Sequence, residues 1–343
     1  MAKKMTTREI ARLAGVSPTA VSFALNGKDG ISPDTRRKIL SIMQQVNYQP
    51  GKQGSVRQRP AVRLNRIAVI FRKDIPPVDM LFYTELNSSV MEACSARGID
   101  LLVTQMQVEE GKPKLPNCLL CGDVDGILVY GDISRSYIEH IKALKIPVVE
   151  LDSSRSYDGQ VAVRVNYRRA AYLATMHLID QNHRDIAYIG NEELHDFNLQ
   201  VFSGFQDAIS SARYPLDLSR VQLNVRDEET VCRAVDTLLS SAVRPTAIFC
   251  ATDLYAIYAM RYLQQKGLKI PGDISIIGID DIQFSTFTTP ALTTVRVDRE
   301  ELGKIGFELL MNCITGQEGK SILLEPAQLI QRGSTMTRPD SAL

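Results

Sequence analysis

The feature that most restricts this chain is an alternation that begins at Arg66 and runs almost to the C-terminus. Short apolar segments take turns with longer stretches of helical periodicity. Candidate strands lie at Ile67–Phe71, Ile99–Thr104, Gly126–Val129 and Val148–Leu151 in a first half. A second half repeats the rhythm at Ile186–Ile189, Val221–Val225, Ala247–Cys250 and Ile274–Ile279. A helix over about Phe82–Arg97 puts Phe82, Leu86, Val90 and Ala93 on one face and is stopped by Gly98. Strand–helix alternation implies parallel sheets flanked by helices, the α/β class. Two such halves facing each other leave a cleft in which a small molecule can close a hinge.

The first 66 residues are different in kind. They hold 13 Lys/Arg against Glu9, Asp29 and Asp34, a net charge of +10, whereas the remainder holds 27 against 36, a net of −9. A basic head on an acidic body points the head alone at a polyanion. Its local signals are helical. Thr6 and Glu9 have the spacing of a capping box, followed by Ile10, Leu13 and Ala14 on one face. Gly15-Val16 breaks that helix, and Ser17-Pro18 opens another, with Ser as cap and Pro at the first helical position. Ala20, Val21, Ala24 and Leu25 form its apolar face and Asn26-Gly27 its stop. Ser32-Pro33 starts a third helix marked by Ile39, Ile42, Met43 and Val46. Two short helices across a Gly-containing turn make a helix-turn-helix, whose second helix enters the DNA major groove.

Other classes fit poorly. MAKKMTTREI lacks the apolar stretch of a secretory signal, and no apolar run approaches membrane length, so a soluble cytoplasmic protein is expected. No GxGxxG or nucleophile elbow is present, and Gly316-x-x-Gly319-Lys320-Ser321 misses the phosphate-loop spacing, which argues against an enzyme. The six cysteines are scattered. Cys118-x-x-Cys121 is a redox or zinc half-site without a second half, so reduced core thiols, no metal and no cofactor are expected.

Residues Thr6 to Pro50 read Ile-Ala-x-x-Ala-Gly-Val-Ser-x-x-x-Val-Ser-x-x-Leu-Asn-Gly and then Asn-Tyr-x-Pro. This resembles the head of the lactose-repressor (LacI/GalR) family of bacterial transcription regulators. The likeness continues through Val124-Asp125-Gly126-Ile127, Ile146-Pro147-Val148-Val149, Pro245-Thr246-Ala247-Ile248-Phe249, Ile276-Ile277-Gly278-Ile279-Asp280-Asp281 and Leu292-Thr293-Thr294-Val295. It implies an all-α helix-turn-helix head at 1–50 and a basic linker or hinge at 51–65. It also implies an effector-binding and dimerisation core at 66–335, similar to a type I periplasmic binding protein, with two doubly wound parallel-sheet subdomains. One subdomain is expected at about 66–163 and 294–323, the other at about 164–293 and 324–335.

By the same resemblance Thr19, Ala20 and Phe23 read bases, while Thr6, Ser17, Ser22, Asn26, Ser32 and Tyr48 hold the DNA backbone. Phe23 stands where many members have Arg, which implies less dependence on guanine at that position. The linker departs too. Gly51, Gly54 and Pro60 disfavour a hinge helix, and Arg57 occupies the place of the intercalating leucine. Arg57 then either enters an A·T minor groove or belongs to a flexible basic tether. In the core the resemblance places Phe82, Tyr83, His195, Arg226, Thr252 and Asp280 around the effector, with Asp280 accepting hydroxyl hydrogen bonds at a strand end. Val201, Thr252 and Arg226 replace the Arg, Asn and aromatic ring of sugar-responsive members. The effector is therefore a sugar or a phosphorylated or anionic metabolite. The expected output is a repressor, binding a pseudo-palindromic double-stranded operator as a homodimer. Two alternatives stay open: a core that senses a partner protein, and a solute-binding protein.

Overall fold

The structure, a computed structural model, describes residues 7–25, 30–32, 35, 38–39, 41–42, 66–72, 77–109, 112–131, 133–153, 159–191, 196–326 and 328–339. The chain divides into two compact units, Met1–Arg63 and Leu64–Leu343.

In the first unit, helices Thr7–Ala14 and Pro18–Leu25 are joined by a turn at Gly15, whose φ is +66°. The Gly15 and Val16 amides donate to the carbonyls of Arg12 and Ala11. That pair of bonds is a Schellman closure, and its left-handed position is why glycine stands there. Ser17 then caps the next helix by accepting from the Ala20 amide at 3.1 Å. Ser32 does the same for the Thr35 amide at 3.1 Å, and Thr35, Lys38, Ile39, Ser41 and Ile42 are helical. Ile10, Ala14, Val21 and Ile39 are fully buried together, so three helical segments share one small core.

The second unit contains two sheets. The first has the order β12-β6-β5-β4-β1-β2-β3, with β1 Arg66–Arg72, β2 Asp100–Glu109, β3 Lys112–Lys114, β4 Gly126–Tyr130, β5 Val148–Leu151, β6 Ala162–Val165 and β12 Ile322–Leu324. The second has the order β13-β11-β10-β9-β7-β8, with β7 Ile186–Ile189, β8 Val221–Gln222, β9 Ala247–Cys250, β10 Ser275–Asp280, β11 Thr293–Arg296 and β13 Gln328–Ile330. All pairings are parallel except those of β3 and β13. Central strands β4, β7, β9 and β10 are buried at every position, as sheets covered on both faces require. Helix Pro77–Ala96 starts earlier than its apolar period suggested and buries Phe82, Leu86 and Val90 as expected.

The chain crosses between the sheets three times, and one crossing differs appreciably from expectation. β6 ends at Val165, next to the expected crossing at Arg164. β11 lies in the second sheet, so the chain leaves it after Arg296 and not at Thr293. The reason is polar. The Thr293 hydroxyl is buried against Thr335, and that of Thr294 against the Asp253 carboxylate, both in the second half. The third crossing follows Leu324. Among the described residues no helix is long and apolar enough to cross a membrane.

Candidate functional site

In the head, Thr19 is exposed near the start of the second helix. Ala20 and Phe23 are half-buried: Ala20 packs against the small core, and the Phe23 ring lies where any side chain on Gly30 would meet it at 2.9 Å. Phe23 is thus engaged within the head as well as lying on its second helix. Ser17 and Ser32 spend a side-chain oxygen on their caps, leaving their exposed hydroxyls beside helix N-termini. Thr6, Asn26, Tyr48 and Arg57, and the side chain of Ser22, lie outside the described residues.

In the core, the carboxyl ends of the strands converge as open α/β sheets arrange their ligand sites. Tyr83, on helix Pro77–Ala96, stacks on Tyr130 at the end of β4, with ring centroids 5.7 Å apart. Its hydroxyl donates to Asp152, the residue after β5, at 3.3 Å. Tyr167, the first residue of helix Tyr167–Asp180, donates to the other oxygen of Asp152 at 2.6 Å and carries Phe197 edge-on at 4.6 Å. Burial first, and then the negative charges of Asp152 and Asp280, hold the Tyr167 phenol well above its usual range and keep it protonated. Asp152 belongs to the first subdomain and Asp280 to the second. These aromatic rings and two carboxylates come from both subdomains, and both Asp152 oxygens accept phenol hydroxyls.

The other anticipated residues are placed differently. Phe82 is 6% exposed, and its ring carries the Arg299 guanidinium, 5.5 Å from the centroid. It supports the site from behind. Thr252 caps helix Asp253–Gln265 by accepting from the Tyr255 amide at 3.3 Å, a backbone role that explains a hydroxyl at that position. Arg226 is exposed just past the buried Val225, and Val201 is fully buried on helix Asp196–Ser211. His195 lies outside the described residues.

The two neighbouring acids at the end of β10 divide their labour. Asp281 is a structural turn residue: its carboxylate takes Arg296 at 2.7 Å and Arg332 at 2.6 Å. Asp280 ends the strand at 9% exposure, close enough to Tyr167 for its charge to be felt there. Behind it, Asp253 is fully buried and accepts from Ser285, Thr294 and the Ile282 amide. Burial outweighs these donors and raises its carboxyl to about 7. Sequence reasoning missed Asp152, Tyr167 and Asp253. Asp152 was within reach, since it follows an expected strand just as Asp280 does.

Comparison with known proteins bears on both units. A family model described as bacterial regulatory proteins, lacI family, matches residues 6–51, and one described as a periplasmic binding protein-like domain matches residues 175–335. A transcriptional repressor PurR from Actinobacillus pleuropneumoniae is 30% identical over 333 residues, 95% of this chain and 97% of that protein. The solved complex of the transcriptional regulator CelR with cellobiose superposes with a TM-score of 0.68 at 25% identity, over 96% of this chain and 99% of that one. The lac repressor dimer bound to operator and an anti-inducer gives a TM-score of 0.65 at 21% identity, over 97% of this chain and all of that one, a likeness of fold.

Proposed function

This chain belongs to the lacI family of bacterial regulatory proteins, and from that premise we propose how it works as a DNA-binding transcription regulator. It is not an enzyme; its work is to occupy DNA and to report a ligand. Two chains pair through their cores and set two heads on a pseudo-palindromic operator, because a two-fold protein calls for a two-fold site. Repression follows from exclusion of the transcription machinery, and the protein works in the cytoplasm. The observation that carries the reading is the head: a Schellman turn followed at once by a Ser17-capped helix that exposes Thr19, within a segment of net charge +10.

Thr19 leads base readout, with Ala20 and Phe23 beside it, while Ser17 and Ser32 offer hydroxyls to phosphates at helix starts. Thr6, Ser22, Asn26 and Tyr48 complete the backbone contacts, and Arg57 belongs to the minor-groove approach of the linker. The effector occupies the cleft between Tyr83, Asp152, Tyr167 and Asp280. Carboxylates on both sides favour a neutral, hydroxyl-rich ligand such as a sugar over a phosphorylated one, whose charge they would repel. Arg226, Thr252 and His195 are second-rank candidates at the rim. Effector binding changes the relation of the two subdomains and thereby the affinity for operator.

The deciding experiment selects duplexes from a random library with full-length protein at two salt concentrations. A symmetric motif that persists at the higher salt is expected. Binding without a motif that collapses as salt rises would leave only phosphate attraction and overturn the reading.

A further inference from the structure

Asp280 and Asp281 are consecutive non-glycine residues with φ of +119° and +57°. Neither region suits an L side chain, and such strain persists only where the surroundings over-determine it. The surroundings are specific. Arg299, near the start of helix Arg299–Ile314 in the first subdomain, is 8% exposed and turns its guanidinium on this corner of the second subdomain. One terminal nitrogen donates to the Asp280 carbonyl and the other to the Asp281 carbonyl, the latter at 2.7 Å. Its Nε donates to Glu85 at 2.7 Å, and the Phe82 ring lies beneath. The second oxygen of Glu85 accepts the Gln283 amide at 3.3 Å, and the next amide inward, Ile282, is held by Asp253 at 3.1 Å.

We infer that Arg299, oriented by Glu85, is a positioning residue for ligand recognition: it holds the Asp280–Asp281 corner in its strained conformation and so keeps the Asp280 carboxylate aimed into the cleft. The inference rests on the reading of Asp280 as an effector contact. Its chemical content is the fork. A planar guanidinium serves two carbonyls and a carboxylate in fixed directions at once, which a single ammonium cannot do. Because Arg299 and Glu85 both belong to the first subdomain, the aim of a second-subdomain carboxylate depends on how the two subdomains meet. Ligand capture and subdomain orientation therefore share one set of hydrogen bonds. Helix Pro77–Ala96 is tied to the same corner through Glu85 and Phe82, and it carries Tyr83, whose hydroxyl donates to Asp152 of the first subdomain.

The test is hydrogen exchange measured by mass spectrometry on the full-length chain, following peptides that cover residues 279–286. Arg299→Met should speed exchange there by about tenfold, the effect expected when a local opening is made easier by one decade, while later turns of helix Arg299–Ile314 keep their protection. Arg299→Lys should exchange like Arg299→Met, Glu85→Gln should show a smaller acceleration, and the double variant should be no worse than Arg299→Met, because the pair acts as one unit. Wild-type exchange in Arg299→Met, full rescue by lysine, or acceleration spread evenly over the core would overturn the inference. Should Arg299→Met not fold, Glu85→Gln alone decides, with unchanged exchange at 279–286 as the contrary result. An error in the Asp280 assignment shows separately, as ligand binding unaltered in Asp280→Ala, and does not affect the exchange pattern.

Discussion

At the scale of single residues, two buried groups titrate in opposite senses. Asp253 has its folded pKa raised to about 7 by burial. The folded chain therefore holds this proton more tightly than the unfolded one, and its contribution is complete below the ordinary carboxylate range and lost as pH rises through about 7. His183 is lowered to about 4, mainly by burial. Its contribution is complete above the ordinary histidine range and lost as pH falls toward 4. Between pH 4.5 and 6.5 the two slopes oppose each other. Asp253→Asn should leave the histidine slope uncompensated, so that stability rises more steeply with pH than in the wild type; urea midpoints at the two pH values check this, and parallel slopes would contradict it. Asp280→Ala should abolish the thermal shift that any binding sugar produces in the wild type while the fold and operator binding remain. Asp280 was legible as a strand-end carboxylate. Asp152 carries the same strand-end signal, whereas the packing of Phe82 under Arg299 and the capping by Thr252 were not legible, because which face of a helix start meets which partner depends on neighbours far away in sequence.

At the scale of elements, caps and close approaches govern. Ser17 supplies an N-cap to a helix of only eight residues. Ser17→Ala should cost about 1 kcal/mol of head stability and weaken operator binding more than core stability; identical operator affinity would remove Ser17 from contact with DNA. Gly204 lets helices Tyr167–Asp180 and Asp196–Ser211 approach until an added Cβ would lie 2.1 Å from the Arg168 carbonyl oxygen. That contact is backbone and cannot turn aside. Gly204→Ala should destabilise the core by about 3 kcal/mol, read as a lower denaturant midpoint, and an unchanged midpoint would show that the helices can separate freely. Strands β1, β2, β4, β5, β7, β8, β9 and β10 and helix Pro77–Ala96 were legible because each declares its period locally, whereas the interior strands β6 and β11, four residues each, were not. The edge strands β3, β12 and β13 were not, since three residues carry no period and exist only through their partners.

At the scale of the whole molecule, the division into Met1–Arg63 and Leu64–Leu343 predicts independent behaviour. Deleting residues 1–65 should leave a cooperative unfolding transition and ligand binding intact while operator binding is lost; an unfolded product would refute the division. The basic head and acidic body also predict that operator affinity falls steeply with salt while ligand binding in the cleft does not, because only the former releases condensed counterions.

The amino-acid sequence by itself determined the class of fold, the helix-turn-helix signals and the charge split between head and core. Each of these is local: a cap, a turn glycine, a hydrophobic period or a count of charges in a segment. The tertiary structure alone decided which sheet β11 joins, that the Phe23 ring leans on Gly30, and that Arg299 reaches from one subdomain to hold the Asp280–Asp281 corner of the other. Those outcomes depend on directional contacts between residues distant along the chain, and hydrogen-bond direction is set only once the backbone of both partners is in place.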